Sequence, residues 1–198
     1  MAPKVKLTYF NLRGRAEPTR LLLAYGGIEY DDCRVAGEGW MALKPKTPYG
    51  SLPVMEWKGE TMAQSMTIAR FVAKEVGLAG RNNMECAQVD EIVDAVNDIG
   101  VAGAQAMFSK DDEKIKKFMT ETVPNGLTQL EKRLVGRGGQ YFVGNAFSWA
   151  DLMLFNLCSG FPDQSILNKF PKIKNLVGRV GEIPNIKCWV EKRPVTSM

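Results

Sequence analysis

Histidine is absent from this 198-residue chain, which removes the usual general base at neutral pH and the commonest metal ligand. Chemistry would fall to Tyr, Arg, Asp, Glu, Lys or to groups on the substrate itself. Cysteine is scarce and scattered: Cys33, Cys86, Cys158 and Cys188 form no Cys-x-x-Cys pair. That spacing argues against zinc or a redox disulfide and fits a reducing compartment. No apolar run approaches the roughly 20 residues needed to cross a bilayer, and the N-terminus carries no signal-peptide core. The expectation is a cytoplasmic protein with no membrane partner. Basic clusters interleaved with aromatics are also missing. The nearest candidate, Lys114, Lys116 and Lys117, follows Asp111-Asp112-Glu113 and reads as a solvated helix face, so no nucleic-acid partner is expected.

What is present is ordinary globular composition, with 45% hydrophobic and 24% charged residues and a net charge of +4. The chain is long enough for one large or two small cores. Residues 4–10 alternate as a strand, and Glu17 to Tyr25 reads as a short helix ended by Gly26-Gly27. Residues 28–34 suggest a second strand, giving a right-handed crossover with parallel pairing. After a Gly- and Pro-rich loop from Ala36 to Gly50, residues 54–57 and 60–62 bracket Lys58-Gly59 as a hairpin. Helical spacing returns from Ser65 to Val76. The leading 77 residues therefore read as βαβ followed by ββα, a thioredoxin-like α/β domain.

Past Gly77-Leu78-Ala79-Gly80 the strand signals stop. Val89, Ile92, Val93 and Val96 form one apolar stripe, with Asp90, Asp94, Asn97 and Asp98 on another face. A second long helix is expected from Asp112 to Leu134, kinked at Pro124. Ser148-Trp149-Ala150-Asp151 reads as a helix start in which Asp151 reaches back to the cap N–H. Further helices are expected near residues 172–180 and 186–192. The second domain, 84–198, is thus all-α.

Three features of the leading domain suggest chemistry. Tyr9 ends the first strand, where a phenol can donate a hydrogen bond to an anion. Pro53 begins a strand and can expose the Leu52 backbone to an extended peptide. Gln64-Ser65 opens a helix, whose free N–H groups and dipole favour a carboxylate, although Ser65 also reads as a plain N-cap. Together they describe a pocket for a small thiol peptide. The thiolate is the nucleophile, and a free thiol titrates near 8.5, so the site must favour the anion. Arg15, after Gly14 at the first helix entrance, either adds positive potential there or is a solvated surface arginine.

Tyr9, the segment Phe10-Asn11-Leu12-Arg13-Gly14-Arg15-Ala16-Glu17, Leu52-Pro53, Gln64-Ser65 and the Ser148–Asp151 helix start resemble the glutathione transferase family. The resemblance runs from about Lys6 to Thr196 and is to the sigma class, which includes the haematopoietic prostaglandin D synthases. The closing Glu191-Lys192-Arg193-Pro194-Val195-Thr196 is similar to arthropod members. The resemblance implies a thioredoxin-like glutathione-binding domain at 1–77. An all-helical domain at 84–198 would form the electrophile pocket and part of a homodimer interface.

It also implies glutathione as co-substrate, with no metal or other cofactor, and Tyr9 and Arg15 as catalytic residues. Glutathione would be held by those two with Trp40, Lys44, Leu52, a cis Pro53, Gln64 and Ser65, and by Asp98 reaching across the dimer. Phe10 and Gly14 would line one wall of the substrate pocket. On the other wall Gln105 stands where the synthases have a tryptophan, and Met153 where they have a tyrosine. Ser51 replaces their lysine, and Asn97 interrupts Asp94 and Asp98 where the class binds metal. The expected activity is conjugation of glutathione to small hydrophobic electrophiles such as lipid-peroxidation products. The alternatives are prostaglandin H2 D-isomerisation, or a non-catalytic crystallin-like or ligand-carrier role.

Overall fold

A computed structural model describes residues 4–161 and 163–196 of the chain; the expected domain limits at residues 1 and 198 lie outside them. Two compact units are present, one running up to Gly77 and resuming at Ile183, the other spanning Leu78–Glu182.

In the first unit, β1 (Val5–Phe10) leads through a single 3-10 turn (Gly14–Ala16) into α1 (Glu17–Tyr25) and then β2 (Asp31–Val35), which pairs parallel to β1. β3 (Val54–Trp57) and β4 (Glu60–Ala63) form the expected hairpin, completing a four-stranded sheet in the order β2-β1-β3-β4. Its two-residue turn, Lys58-Gly59, has both φ angles positive, at 51° and 96°, the condition for a turn whose twist matches the strands. α3 (Ser65–Glu75) packs Ile68 and Val72 into the same core as Leu7, Met55, Leu21 and Leu22.

Two stretches differ from the sequence reading. The expected loop from 36 to 50 contains α2 (Gly37–Leu43) and a 3-10 turn at Lys44–Lys46. α2 buries no residue, so it carries no apolar stripe for periodicity to detect. α9 (Pro184–Lys192) was expected with the helical domain, but residues from Ile183 onward group with the first unit. Ile186 and Trp189 of α9 are buried, Trp189 beside the Tyr30 ring, and polar contacts add to this. Glu17 at the start of α1 is buried and accepts hydrogen bonds from Trp189 and Arg193, both at 2.9 Å.

The second unit is helical throughout its regular structure. α4 (Asn83–Ser109) starts at the Asn82 side chain, which accepts from the Glu85 N–H, and buries the stripe Val89, Ile92, Val93 and Val96. α5 (Asp112–Lys117) is capped by Asp111. The kink expected at Pro124 is a widened π turn over Phe118–Thr122, followed by α6 (Val123–Gly136) with the proline in its first turn. That position suits proline, which has no N–H to give and whose ring would strike a carbonyl in a continuous helix. α7 (Trp149–Ser159), a 3-10 segment (Gln164–Lys169) and α8 (Pro171–Gly181) complete the unit. As expected, Asp151 in the first turn of α7 accepts from the Ser148 N–H, at 2.8 Å; it also takes the Ser148 hydroxyl and the Phe142 N–H. No helix among the described residues is long and apolar enough to cross a membrane.

Candidate functional site

Strand register gathers most of the sequence candidates at one edge of the sheet. Tyr9 pairs with Arg34 and Phe10 with Val35, while Thr8 pairs with Val54 and Val54 with Ala63. The carboxyl ends of β1, β2 and β4 and the amino end of β3 therefore lie side by side. One or two residues beyond that edge come Leu52-Pro53, whose peptide bond is cis, and Gln64-Ser65. Gln64, at the N-cap of α3, has φ 72° and ψ 111°, a backbone conformation costing about 1–3 kcal/mol in a non-glycine residue and typical of ligand clamps.

The Tyr9 hydroxyl is enclosed by the loop that follows β1. The Arg15 backbone N–H donates to it at 3.2 Å, so its own proton is left to point at something else. This approach requires Gly14, which has φ +41°. A Cβ there would lie 2.9 Å from the Tyr9 hydroxyl and 2.4 Å from Leu12 Cδ1. The Arg15 side chain itself is exposed. Phe10 stacks beside Tyr9 with ring centroids 5.5 Å apart and meets Trp40 of α2 edge-on at 5.4 Å. The short helix thus brings Trp40 to the tyrosine edge. Lys44 follows one turn later and is exposed.

A buried ionic chain lies under this loop, and the sequence reading missed it. Arg20, fully buried, donates from Nη1 to the carbonyls of Leu12 (2.9 Å) and Arg13 (3.3 Å) and to Glu17 Oε2 (3.3 Å), and from Nε to Asp32 (2.9 Å). Asp32 in turn takes two bonds from Arg34, which reaches Asn11 Oδ1 at 3.1 Å. The available signal was Glu17 and Arg20 standing three apart on a helix otherwise rich in leucine. Buried charges of that kind are almost never unpaired. Cations crowd this loop. Arg13 is held below its ordinary range, first by burial and then by Arg193, with Glu17 partly offsetting them.

The remaining candidates belong to the second unit. Asp98 and Gln105 are exposed on α4, and Met153 is buried in α7. Cys158, in the same helix as Met153, is buried, and its thiol is pushed up to about 12, which makes it a poor nucleophile. Among the described residues no group of three His, Cys, Asp or Glu is placed to hold a metal ion.

A tyrosine hydroxyl at a thioredoxin-like sheet edge, a cis proline and a strained residue opening α3 agree with the comparisons with known proteins. Residues 5–74 match the glutathione S-transferase N-terminal domain and residues 97–193 its C-terminal domain. Glutathione S-transferase 1 of Ascaris suum is 39% identical, over 98% of both chains. The haematopoietic prostaglandin D synthase of Gallus gallus is 38% identical, over 99% of this chain and all of its own. Among solved structures, the rat haematopoietic prostaglandin D synthase complexed with a quinoline superposes with a TM-score of 0.90 at 34% identity, covering 99% of this chain and 100% of that one. The chain belongs to the glutathione S-transferase family and is an enzyme of that family.

Proposed function

We propose that this enzyme is a sigma-type, homodimeric, cytoplasmic transferase that holds the glutathione thiol as a thiolate at Tyr9 and adds it to small hydrophobic electrophiles, lipid-peroxidation products among them. The observation that carries this reading is the Arg15 N–H donated to the Tyr9 oxygen. With its oxygen engaged, the hydroxyl is set to give its proton's hydrogen bond to an anion rather than to accept one. Bringing a thiol pKa from about 8.5 to about 6.5 requires roughly 2.7 kcal/mol of preference for the anion, within the range of one or two charge-assisted hydrogen bonds. The exposed Arg15 guanidinium supplies a further share as a nearby positive charge.

In this reading the tripeptide lies along the sheet edge. The Leu52 backbone beside Pro53 pairs with its cysteinyl unit as a short added strand. Gln64 and Ser65 receive its γ-glutamyl end at the start of α3, and Trp40 and Lys44 its glycyl carboxylate. Asp98 of a second copy of the chain meets the amino group. Phe10 and Gly14 in the first unit, and Gln105 and Met153 in the second, are the residues assigned to electrophile binding, and no metal takes part.

The test is the rate of conjugation to a chloronitrobenzene against pH for the native enzyme and Tyr9→Phe. The variant is expected to fold and to bind glutathione, with turnover reduced at least tenfold and the profile displaced to higher pH. An unchanged profile overturns the role of Tyr9. A second reading, isomerisation of prostaglandin H2 by the same thiolate, is favoured by the prostaglandin D synthases among the relatives. Incubation with that endoperoxide separates the two: rapid formation of the D product would replace conjugation as the principal activity.

A further inference from the structure

The ionic chain beneath the Tyr9 loop extends to the far end of the sequence. Glu17 Oε2 holds Arg20, and its other oxygen, Oε1, accepts from both Trp189 Nε1 and Arg193 Nη1 at 2.9 Å. Arg20 passes this on to the Leu12 and Arg13 carbonyls, the two peptide units that immediately precede Gly14 and Arg15. Its guanidinium carbon also stands 5.9 Å from the centre of the Tyr9 ring. On the other flank Arg34, held by Asp32, grips Asn11. Three consecutive residues of the loop, 11 to 13, are therefore fixed by two guanidinium groups that share one carboxylate.

We infer that Glu17 and Arg20, together with Trp189 and Arg193 from the C-terminal segment, form a positioning unit for the Tyr9 hydroxyl. The inference rests on Tyr9 being the thiolate donor. Its physical basis is the poor economy of the arrangement as mere glue. Replacing a buried ion network by apolar residues of similar volume is commonly neutral or stabilising, so burial of Glu17 and Arg20 is weak support for stability as their purpose. What apolar packing cannot do is take hold of two peptide carbonyls and thereby set where the next N–H points. The Arg15 N–H reaches the Tyr9 oxygen at 3.2 Å, long enough that a few tenths of an ångström outward ends it. A phenol whose oxygen loses that donor is a weaker donor to the sulfur, because bonds in a chain polarise one another. Trp189 and Arg193 touch no reacting atom in this scheme; they act only by keeping Glu17 aligned on Arg20.

The experiment uses the full-length protein, with glutathione as the probe and the ultraviolet absorbance of its bound thiolate, titrated against pH, as the readout. Trp189→Phe removes one N–H donor while keeping an aromatic ring, and Arg193→Gln removes the second donor's charge at a partly exposed site. Each is expected to bind glutathione within about threefold of the native protein, and to titrate the bound thiol about half to one unit higher. Each is then combined with Tyr9→Phe. Acting through Tyr9, the variants must add no further shift in that background, a non-additivity that a cycle of single and double variants reads directly. Lower thermal stability with an unmoved thiol titration, or a shift that persists at full size without the Tyr9 hydroxyl, overturns the inference and leaves the network as a staple for α9. Should Trp189→Phe fail to fold, Arg193→Gln carries the same test. Failure of the Tyr9 reading itself is distinguished by Tyr9→Phe alone, which would then titrate like the native protein.

Discussion

Asp151 offers a test in which two opposed effects of similar size must be weighed. The carboxylate accepts the Phe142 N–H at 3.0 Å on Oδ1, and the Ser148 N–H and hydroxyl at 2.8 and 2.9 Å on Oδ2. Three donors favour the charged form. Complete burial opposes it and is the larger effect, so the group is pushed up to about 6, with the Phe142 and Ser148 bonds pulling the other way. An unfolded aspartate titrates near 3.9. With the folded value raised, native Asp151 keeps its proton over a range where the unfolded chain has released it. The contribution is therefore most favourable in acid, and stability is lost as pH rises through the window from about 4 to 6, with a total near 3 kcal/mol, about 2 of which falls between pH 4.5 and 7.5.

The perturbation is Asp151→Asn, which keeps the shape and cannot ionise. Its Oδ1 still serves Phe142, but the amide nitrogen now faces the Ser148 N–H, leaving one buried donor unpaired at a cost of about 1–3 kcal/mol. At pH 4.5 the native side chain is neutral and fully bonded, so the whole of that cost is measured. At pH 7.5 the native protein itself carries the penalty of a buried charge, and the gap between the two proteins should narrow by about 2 kcal/mol. Urea unfolding of both proteins at the two pH values measures it, and every other titrating group cancels in the difference. A gap that is constant would mean that the three donors match burial, and one that widens with pH that they outweigh it; either would refute the reasoning.

Two glycine substitutions probe the remaining geometry. Gly14→Ala places a methyl group 2.9 Å from the Tyr9 hydroxyl at φ +41°; the backbone cost is about 1–2 kcal/mol, and conjugation should fall at least tenfold while glutathione binding changes far less, as read from kcat and KM. Equal loss in both would instead mean general collapse of the edge. Gly80→Ala, at φ +99°, would meet the Cys86 nitrogen at 2.7 Å and the Glu85 carbonyl carbon at 2.8 Å. Because both obstacles are backbone, the start of α4 must move, and a loss of about 2–3 kcal/mol is expected in thermal unfolding; an unchanged melting temperature would count against it.

Features written in adjacent residues were legible, and those written across the chain were not. The β1 strand, the Lys58-Gly59 turn, the Val89–Val96 stripe and the Ser148/Asp151 start each need only a few neighbouring positions, and each is present where the pattern put it. Tyr9, Leu52-Pro53 and Gln64-Ser65 became visible in the same way, because each sits at or beside the end of a strand or helix, whereas Trp40 and Lys44 were implied by the resemblance. The helix at 37–43 escaped for the converse reason, since none of its residues is buried and it has no apolar stripe.

Glu17 is the deeper case. Its partners Trp189 and Arg193 lie 172 and 176 positions away, and apart from Arg20 three residues on, nothing local distinguishes it from a solvated glutamate in the first turn of a helix, where an acid is welcome for its dipole alone. Yet this one carboxylate bonds to α9 and to the residue after it, and it holds the arginine that donates to the loop beside Tyr9. A sequence pattern can show which residue is offered to a substrate. What holds the loop beside it includes a buried polar contact between residues far apart in the chain, and such contacts carry no periodicity.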